Sequence, residues 1–216
     1  MRPELPQTSS AASDARIDYD FIVGLVERGS RVLDLGCGDG LLLSRLIGEK
    51  RARGTGVEIS QEGIQSAIAR GLSVVQADLD EGLADYQDQS FDWVILNQTL
   101  QSLAKPLLVL EEMLRVGKRA IVGLPNFGYW RLRLRLLVSG HVPSSPNLPY
   151  RWYDTPATRL LTIEDFRQSC RERGMSIRQE IYLAGMGRRR HTWPNLLSET
   201  GIFVLAGSRT AGETAR

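Results

Sequence analysis

The stretch Arg31 to Gly40, RVLDLGCGDG, constrains this chain more than any other. An apolar strand seed of Val32, Leu33 and Leu35 runs into Gly36, Gly38 and Gly40, and the helix-forming Leu41, Leu42 and Leu43 follow. A strand that stops on closely spaced glycines and restarts as a helix lets backbone approach a ligand at the helix N-terminus. A nicotinamide dinucleotide turn is built this way, but its fingerprint is G-x-G-x-x-G. Counted from Gly36, the last glycine of that pattern falls on Leu41. The spacing is instead G-x-G-x-G, with acidic Asp34 two residues before the first glycine. The turn therefore predicts a cofactor site.

The segments around it repeat one rhythm. Ile17 onward (Tyr19, Phe21, Ile22, Leu25, Val26) predicts a short amphipathic helix ending at Gly29, which delivers the chain to a first strand, Arg31 to Leu35. Helix Leu41 to Lys50 follows, then a strand in GTGVEIS carrying Glu58, a helix Gln61 to Arg70, and a third strand, Leu72 to Ala77. Asp80 to Ser90 is acidic and loop-like. Phe91 to Asn97 reads as a buried fourth strand, Pro106 to Val116 as a helix, and Arg119 to Leu124 as a fifth strand stopped at Pro125. Strands separated by roughly ten-residue helices imply βαβ units and a mostly parallel sheet with helices on both faces. A helix from Thr162 to about Arg173 and strands near Ser176 to Leu183 and Ile202 to Ala206 bring the expected strand count to about seven.

Residues 126 to 161 break the rhythm. In Tyr129 to Val138 arginine and leucine alternate, which is strand periodicity, yet an exposed helix fits the length and position equally well. Residues 141–159, HVPSSPNLPYRWYDTPATR, hold four prolines and three aromatics, the composition of an ordered loop or lid rather than a solvent linker. Residues 1–14 and 209–216 are expected to be disordered tails, leaving one domain over 15–208.

With 27 basic and 25 acidic residues the net charge is +2, which gives no global pull towards nucleic acid or an anionic membrane. No run approaches the ~20 apolar residues of a membrane span. The N-terminus lacks a signal-peptide core, so a cytoplasmic protein is expected. Two cysteines, Cys37 and Cys170, are too few for a disulfide framework or a cysteine zinc site. Cys37 sits inside the turn, where a small side chain fits.

Asp34, Glu58 and Asp78 stand at or near the ends of three successive predicted strands, where ligands of open α/β sheets bind. The glycine spacing preceded by Asp34 resembles motif I of class I S-adenosylmethionine-dependent methyltransferases, a Rossmann-like α/β fold. In such a site Glu58 can accept both ribose hydroxyls and Asp78 the adenine amine. Asp34 can orient the turn and offset the positive charge of the aminoacyl or sulfonium group. Ile59 and Leu79 supply apolar walls for adenine, and Gly36 and Gly38 let backbone pass close to the methionyl part. Cys37 in the turn and Asn97 at the end of the fourth strand complete the candidate set. A carboxylate-rich site without a phosphate-binding lysine argues against nucleotides.

VLDLGCGDG, GVEIS, QADLD and FDWVILNQTL together resemble the methyltransferase core over about residues 30 to 125. GLPNFGYWRLRLRLLVSGHVP and LPYRWYDTPATRLLTIEDF are similar to the methionine biosynthesis MetW family, over about residues 17 to 206. The resemblance implies an S-adenosylmethionine- or S-adenosylhomocysteine-binding subunit that associates with and supports homoserine O-acyltransferase. It does not imply a methyl acceptor, so catalytic residues stay unassigned.

The alternative is an active methyltransferase with a small-molecule acceptor under the lid. Asn97-Gln98-Thr99-Leu100 stands where amine- and base-modifying methyltransferases often carry Asn/Asp-Pro-Pro-Tyr/Phe, so nucleic-acid methylation is not supported. The only histidines, His141 and His191, lie in irregular segments. Methyl transfer by proximity needs no base. Arg131, Arg133 and Arg135, and Arg188 to Arg190, form local basic clusters that fit a solvated face, or an acidic partner or anionic substrate, with nucleic acid third because the runs lack a reading motif and the net charge is low. Trp130, Tyr150, Trp152 and Tyr153 fit a pocket wall, a partner surface or lid packing.

Overall fold

A computed structural model describes residues 17–141, 159–185 and 187–207. The expected tails and residues 142–158 of the lid or insert expected over about 126–161 lie outside the described residues. The elements run α1 (Ile17–Leu25), β1 (Arg31–Leu35), α2 (Leu41–Lys50), β2 (Arg53–Glu58), α3 (Gln61–Ala69), β3 (Val74–Gln76), β4 (Phe91–Asn97), α4 (Pro106–Val116), β5 (Gly117–Pro125), α5 (Trp130–Ser139), α6 (Ile163–Glu172), β6 (Ser176–Ala184), β7 (Arg188–Arg189), α7 (Pro194–Leu197) and β8 (Thr200–Ala206). Short 3-10 turns stand at Leu79–Glu81 and Leu100–Ser102.

The eight strands form one sheet in the order β3-β2-β1-β4-β5-β8-β6-β7. The joins β3-β2, β2-β1, β1-β4 and β4-β5 are parallel, and the three joins involving β8 or β7 are antiparallel. The expected mostly parallel α/β sheet is present. The eighth strand, β7, is a two-residue edge pairing that its sequence, RR, does not announce. After β3 the chain returns to pair β4 against β1, so the strand order reverses between them. That crevice, outside the carboxyl ends, is where open α/β sheets bind ligands.

Two apolar layers hold the sheet. Val32, Trp93, Ile95, Ile121 and Ile202 pack with Ile22 and Val23 of α1 and with Leu42 and Leu46 of α2. Leu33, Leu35, Val94, Leu96, Val122 and Phe203 pack on the other face with Leu110 and Met113 of α4 and Phe166 of α6. Alternate residues of one strand thus serve opposite layers, and FDWVILN reads as a nearly continuous apolar run because both its faces are covered. Pro106 opens α4, where its missing N–H costs nothing. Thr162 caps α6 in a reciprocal box with Asp165, each side chain accepting the other residue's backbone N–H.

The alternating Arg-Leu segment is a helix, α5, with none of its residues buried. A strand there has no place beside β5, which is already paired on both sides, by β4 and β8.

Asn126, just after β5, explains the PNFG part of the next segment. Its amide donates to the carbonyls of Asn195 (3.0 Å) and Ser198 (2.7 Å). Its Oδ1 accepts the N–H of Gly128 (2.9 Å) and of Ile163 (3.2 Å). At 2% exposure this side chain fastens β5, α6 and α7 together.

Candidate functional site

The glycine turn adopts the geometry its spacing predicts. Gly36 and Gly38 have φ of 67° and 56°, values that a side chain disfavours. A Cβ on Gly36 would meet the Thr99 side chain at 2.7 Å, whereas the space beside Gly38 is open within 4 Å. The backbone N–H groups of Gly36 and Cys37 both donate to the Val57 carbonyl, at 2.8 and 3.1 Å, which fixes the turn against β2.

Glu58, the last residue of β2, completes that connection. One carboxylate oxygen accepts the Gly38 N–H at 2.8 Å, and the other accepts the N–H groups of Ile59 and Ser60 at 2.9 and 2.8 Å. A carboxylate held by three backbone donors has a fixed position and stays close to the turn.

A cleft of about 340 Å³ opens beside it, at the carboxyl ends of β1 to β4. Five of the nine candidate residues line it: Gly36, Glu58, Ile59, Asp78 and Leu79. Ile59 is 60% exposed, an apolar side chain left on the rim, whereas Leu79 is buried. Asp78 stands two residues beyond the end of β3, and one of its oxygens accepts the Asp80 N–H at 2.9 Å.

The other four candidates do not line the cleft. Asp34 is 2% exposed within β1, and Gly38 meets the site through Glu58. Cys37 is buried with its sulfur over Gly56, where a Cβ would come within 2.6 Å. Burial pushes its thiol up to about 12, with the Asp34 and Glu58 charges adding to the effect, so it keeps its proton at neutral pH. Asn97 faces sideways. Its amide donates to Asp18 of α1 at 2.7 Å, and its Oδ1 occupies the place that a Cβ on Gly123 would need, 1.9 Å away. It joins α1 to the end of β4.

The opposite wall, formed by Asp80, Thr99, Ser102 and Leu103, lies outside the candidate set read from the sequence. The signal was available, because Thr99 to Leu103 directly follow β4, and loops after strand carboxyl ends line such sites. Gln98, in that loop, takes φ of 57°, an unusual conformation for a residue with a side chain, and its N–H donates to the Gly123 carbonyl at 2.8 Å. Asp80 accepts the Ala104 and Lys105 N–H groups at 2.8 and 2.6 Å, fixing the start of α4.

Arg159 clamps the same wall from outside. Its backbone N–H donates to the Gln101 carbonyl at 2.8 Å, and its guanidinium donates to the carbonyls of Leu103 and, at 2.8 Å, Ala104. The described chain that follows residues 142–158 therefore starts on the cleft rim.

Among the described residues, three carboxylates, Glu58, Asp78 and Asp80, and no basic side chain line the cleft. Such a wall favours a ligand with hydroxyl, amine or cationic groups and opposes phosphate.

The family model for methionine biosynthesis protein MetW matches residues 16–205. The chain belongs to the MetW family. The bifunctional methionine biosynthesis protein MetXA/MetW of Rhodopirellula baltica is 36% identical over 200 residues, which cover 87% of this chain and 32% of that protein. The ubiquinone biosynthesis O-methyltransferase of Idiomarina loihiensis is 36% identical over 122 residues, 53% of this chain and 50% of the other. This MetW chain thus spans about a third and a half, respectively, of those relatives' lengths. Magnesium protoporphyrin IX methyltransferase from Synechocystis, solved with bound S-adenosylhomocysteine, superposes with a TM-score of 0.64 at 16% identity, covering 94% of this chain and 90% of that one. The fold is that of S-adenosylmethionine-dependent methyltransferases. No helix among the described residues is long and apolar enough to cross a membrane.

Proposed function

We propose that this MetW-family chain is an S-adenosylmethionine-binding subunit that associates with homoserine O-acyltransferase and supports its activity in methionine biosynthesis. The observation that carries the partner is the Rhodopirellula protein, whose name joins a MetXA unit to a MetW unit in one chain. We take the MetXA unit to be the acyltransferase. Fusion of two functions in one relative is the pattern expected of separate chains that act together.

The donor set supports the cofactor. The cleft volume of about 340 Å³ falls within the range of small-ligand pockets, about 300–1,000 Å³. Its carboxylate wall suits ribose hydroxyls, an adenine amine and a cationic sulfonium or ammonium. In this reading Glu58 accepts the ribose hydroxyls, Asp78 accepts from the adenine amine, and Ile59 and Leu79 flank the ring. Buried Asp34 supplies negative charge behind the turn, and the open side of Gly38 admits the methionyl part. Cys37 fills space, and Asn97 holds α1 in place. When bound, the cofactor supplies an electrophilic methyl group, which the subunit role does not require to leave. Buried free Cys37 and Cys170 suit the reducing cytoplasm, where we place the protein.

Co-purification of the two separately expressed chains tests the association, and a calorimetric titration with S-adenosylmethionine tests the site. Complete absence of association at micromolar concentrations of both would overturn the subunit role.

The second reading is methyl transfer to a small molecule. It is favoured by the carboxylate-lined cleft, which a scaffold has no need to keep, and by similarity to the ubiquinone biosynthesis O-methyltransferase over half the chain. S-adenosylhomocysteine formation with a metabolite extract, lost on Glu58→Ala, is its signature.

A further inference from the structure

A second cleft, of about 490 Å³, opens at the carboxyl ends of β5 and β6, on the same edge of the sheet as the first. Tyr129, Trp130 and Arg131 at the start of α5 form one side, and Arg188 and Arg190 form the other. Backbone alternation along β7 separates the arginine run. Arg188 and Arg190 line the cleft, whereas the Arg189 guanidinium lies 4.7 Å from the centre of the Phe21 ring.

Among the described residues, Arg45, Arg70, Arg115 and Arg167 all pair with carboxylates. Arg131, Arg188 and Arg190 have no such partner there. Among the described residues one acid, Glu199, reaches the cleft, and it is engaged by the Tyr129 hydroxyl, whose pKa is raised by burial and by that carboxylate. Three guanidiniums against one carboxylate leave an excess of two positive charges. Trp130 and Leu197 add apolar surface. Guanidiniums bind carboxylate and phosphate oxygens in pairs, and a partly exposed indole stacks on flat ligands.

We propose that this cleft binds an organic dianion, a dicarboxylate or phosphate monoester on a flat apolar body, held by Arg131, Arg188 and Arg190 with Trp130 against the body. The site does not depend on the cofactor reading, since it shares no residue with the first cleft.

The test is calorimetric titration of the full chain with phenyl phosphate and with phthalate, using benzamide as the neutral control. Saturable binding of at least one dianion and none of benzamide is expected. Arg188→Gln and Arg190→Gln should each weaken it about tenfold or more, the loss expected for a charge-assisted hydrogen bond. Arg189→Gln removes the same charge from the Phe21 side and should leave affinity unchanged, and Glu199→Gln should tighten binding. Trp130→Ala should weaken phenyl phosphate and spare inorganic phosphate. Equal weakening by Arg189→Gln would reduce the effect to net surface charge and overturn the site. Absence of saturable binding of both dianions, or equal binding of benzamide, would overturn it too.

Discussion

Glu58 accepts the backbone N–H of Gly38 at 2.8 Å, across twenty residues of sequence. This contact joins the two features that define the first cleft, the glycine turn after β1 and the acid that ends β2. Glu58→Ala leaves three backbone donors, on Gly38, Ile59 and Ser60, to water and removes the proposed ribose acceptor. Hydrogen bonds to charged groups are worth roughly 1.5–3 kcal/mol, so S-adenosylmethionine affinity should fall by about ten- to a hundredfold. Calorimetry on the variant checks this, with circular dichroism to show that the fold is kept.

Arg159 supports the same cleft without lining it. Arg159→Ala removes the guanidinium contacts to the Leu103 and Ala104 carbonyls and releases the wall that carries Thr99, Ser102 and Leu103. Cofactor affinity should fall a few-fold, with little change in melting temperature because the side chain is at the surface. A titration beside a thermal melt separates the two effects.

Asn126 predicts the reverse pattern. Asn126→Asp keeps the shape but takes away both donors, stranding the Asn195 and Ser198 carbonyls in a buried setting beside a new charge. Each stranded group costs roughly 1–3 kcal/mol, so a loss of about 3 kcal/mol or more is expected in urea unfolding. Cofactor affinity in the folded fraction should change little.

The two buried cysteines contribute to an alkaline limit on stability. Burial raises Cys37 from its ordinary 9.0 to about 12 and Cys170 to about 11. The folded state therefore keeps protons that the unfolded chain releases above pH 9. Their stabilising contribution is complete below that pH and is lost as pH rises through about 11 and 12. Unfolding free energy should fall above pH 9, less steeply in Cys170→Ala, and neither thiol should react with iodoacetamide at pH 7 while the chain is folded.

Much of this was legible in the residues. The apolar runs Val32-Leu33 and Trp93 to Leu96 announce buried strands, and RVLDLGCGDG announces the turn between β1 and α2. Position in the sheet was harder to read. Arginine-leucine alternation in Tyr129 to Val138 carries strand periodicity, yet the segment is a helix, and the occupation of both β5 edges that denies it a place there is a long-range fact. Asp34, Glu58 and Asp78 look equivalent as acids near strand ends. Folding separates them, placing Glu58 and Asp78 on the cleft and burying Asp34 behind it. Arg159 and Asn126 carry no local signal of their roles, since their partners lie up to 56 and 72 residues away.

The subunit role is tested most directly by the rate of homoserine O-acyltransferase measured alone and with this chain added in equimolar amount, in the presence of S-adenosylmethionine. A higher rate with the wild-type chain is expected. A rate unchanged by the wild-type chain, with both proteins folded and at micromolar concentration, would contradict it.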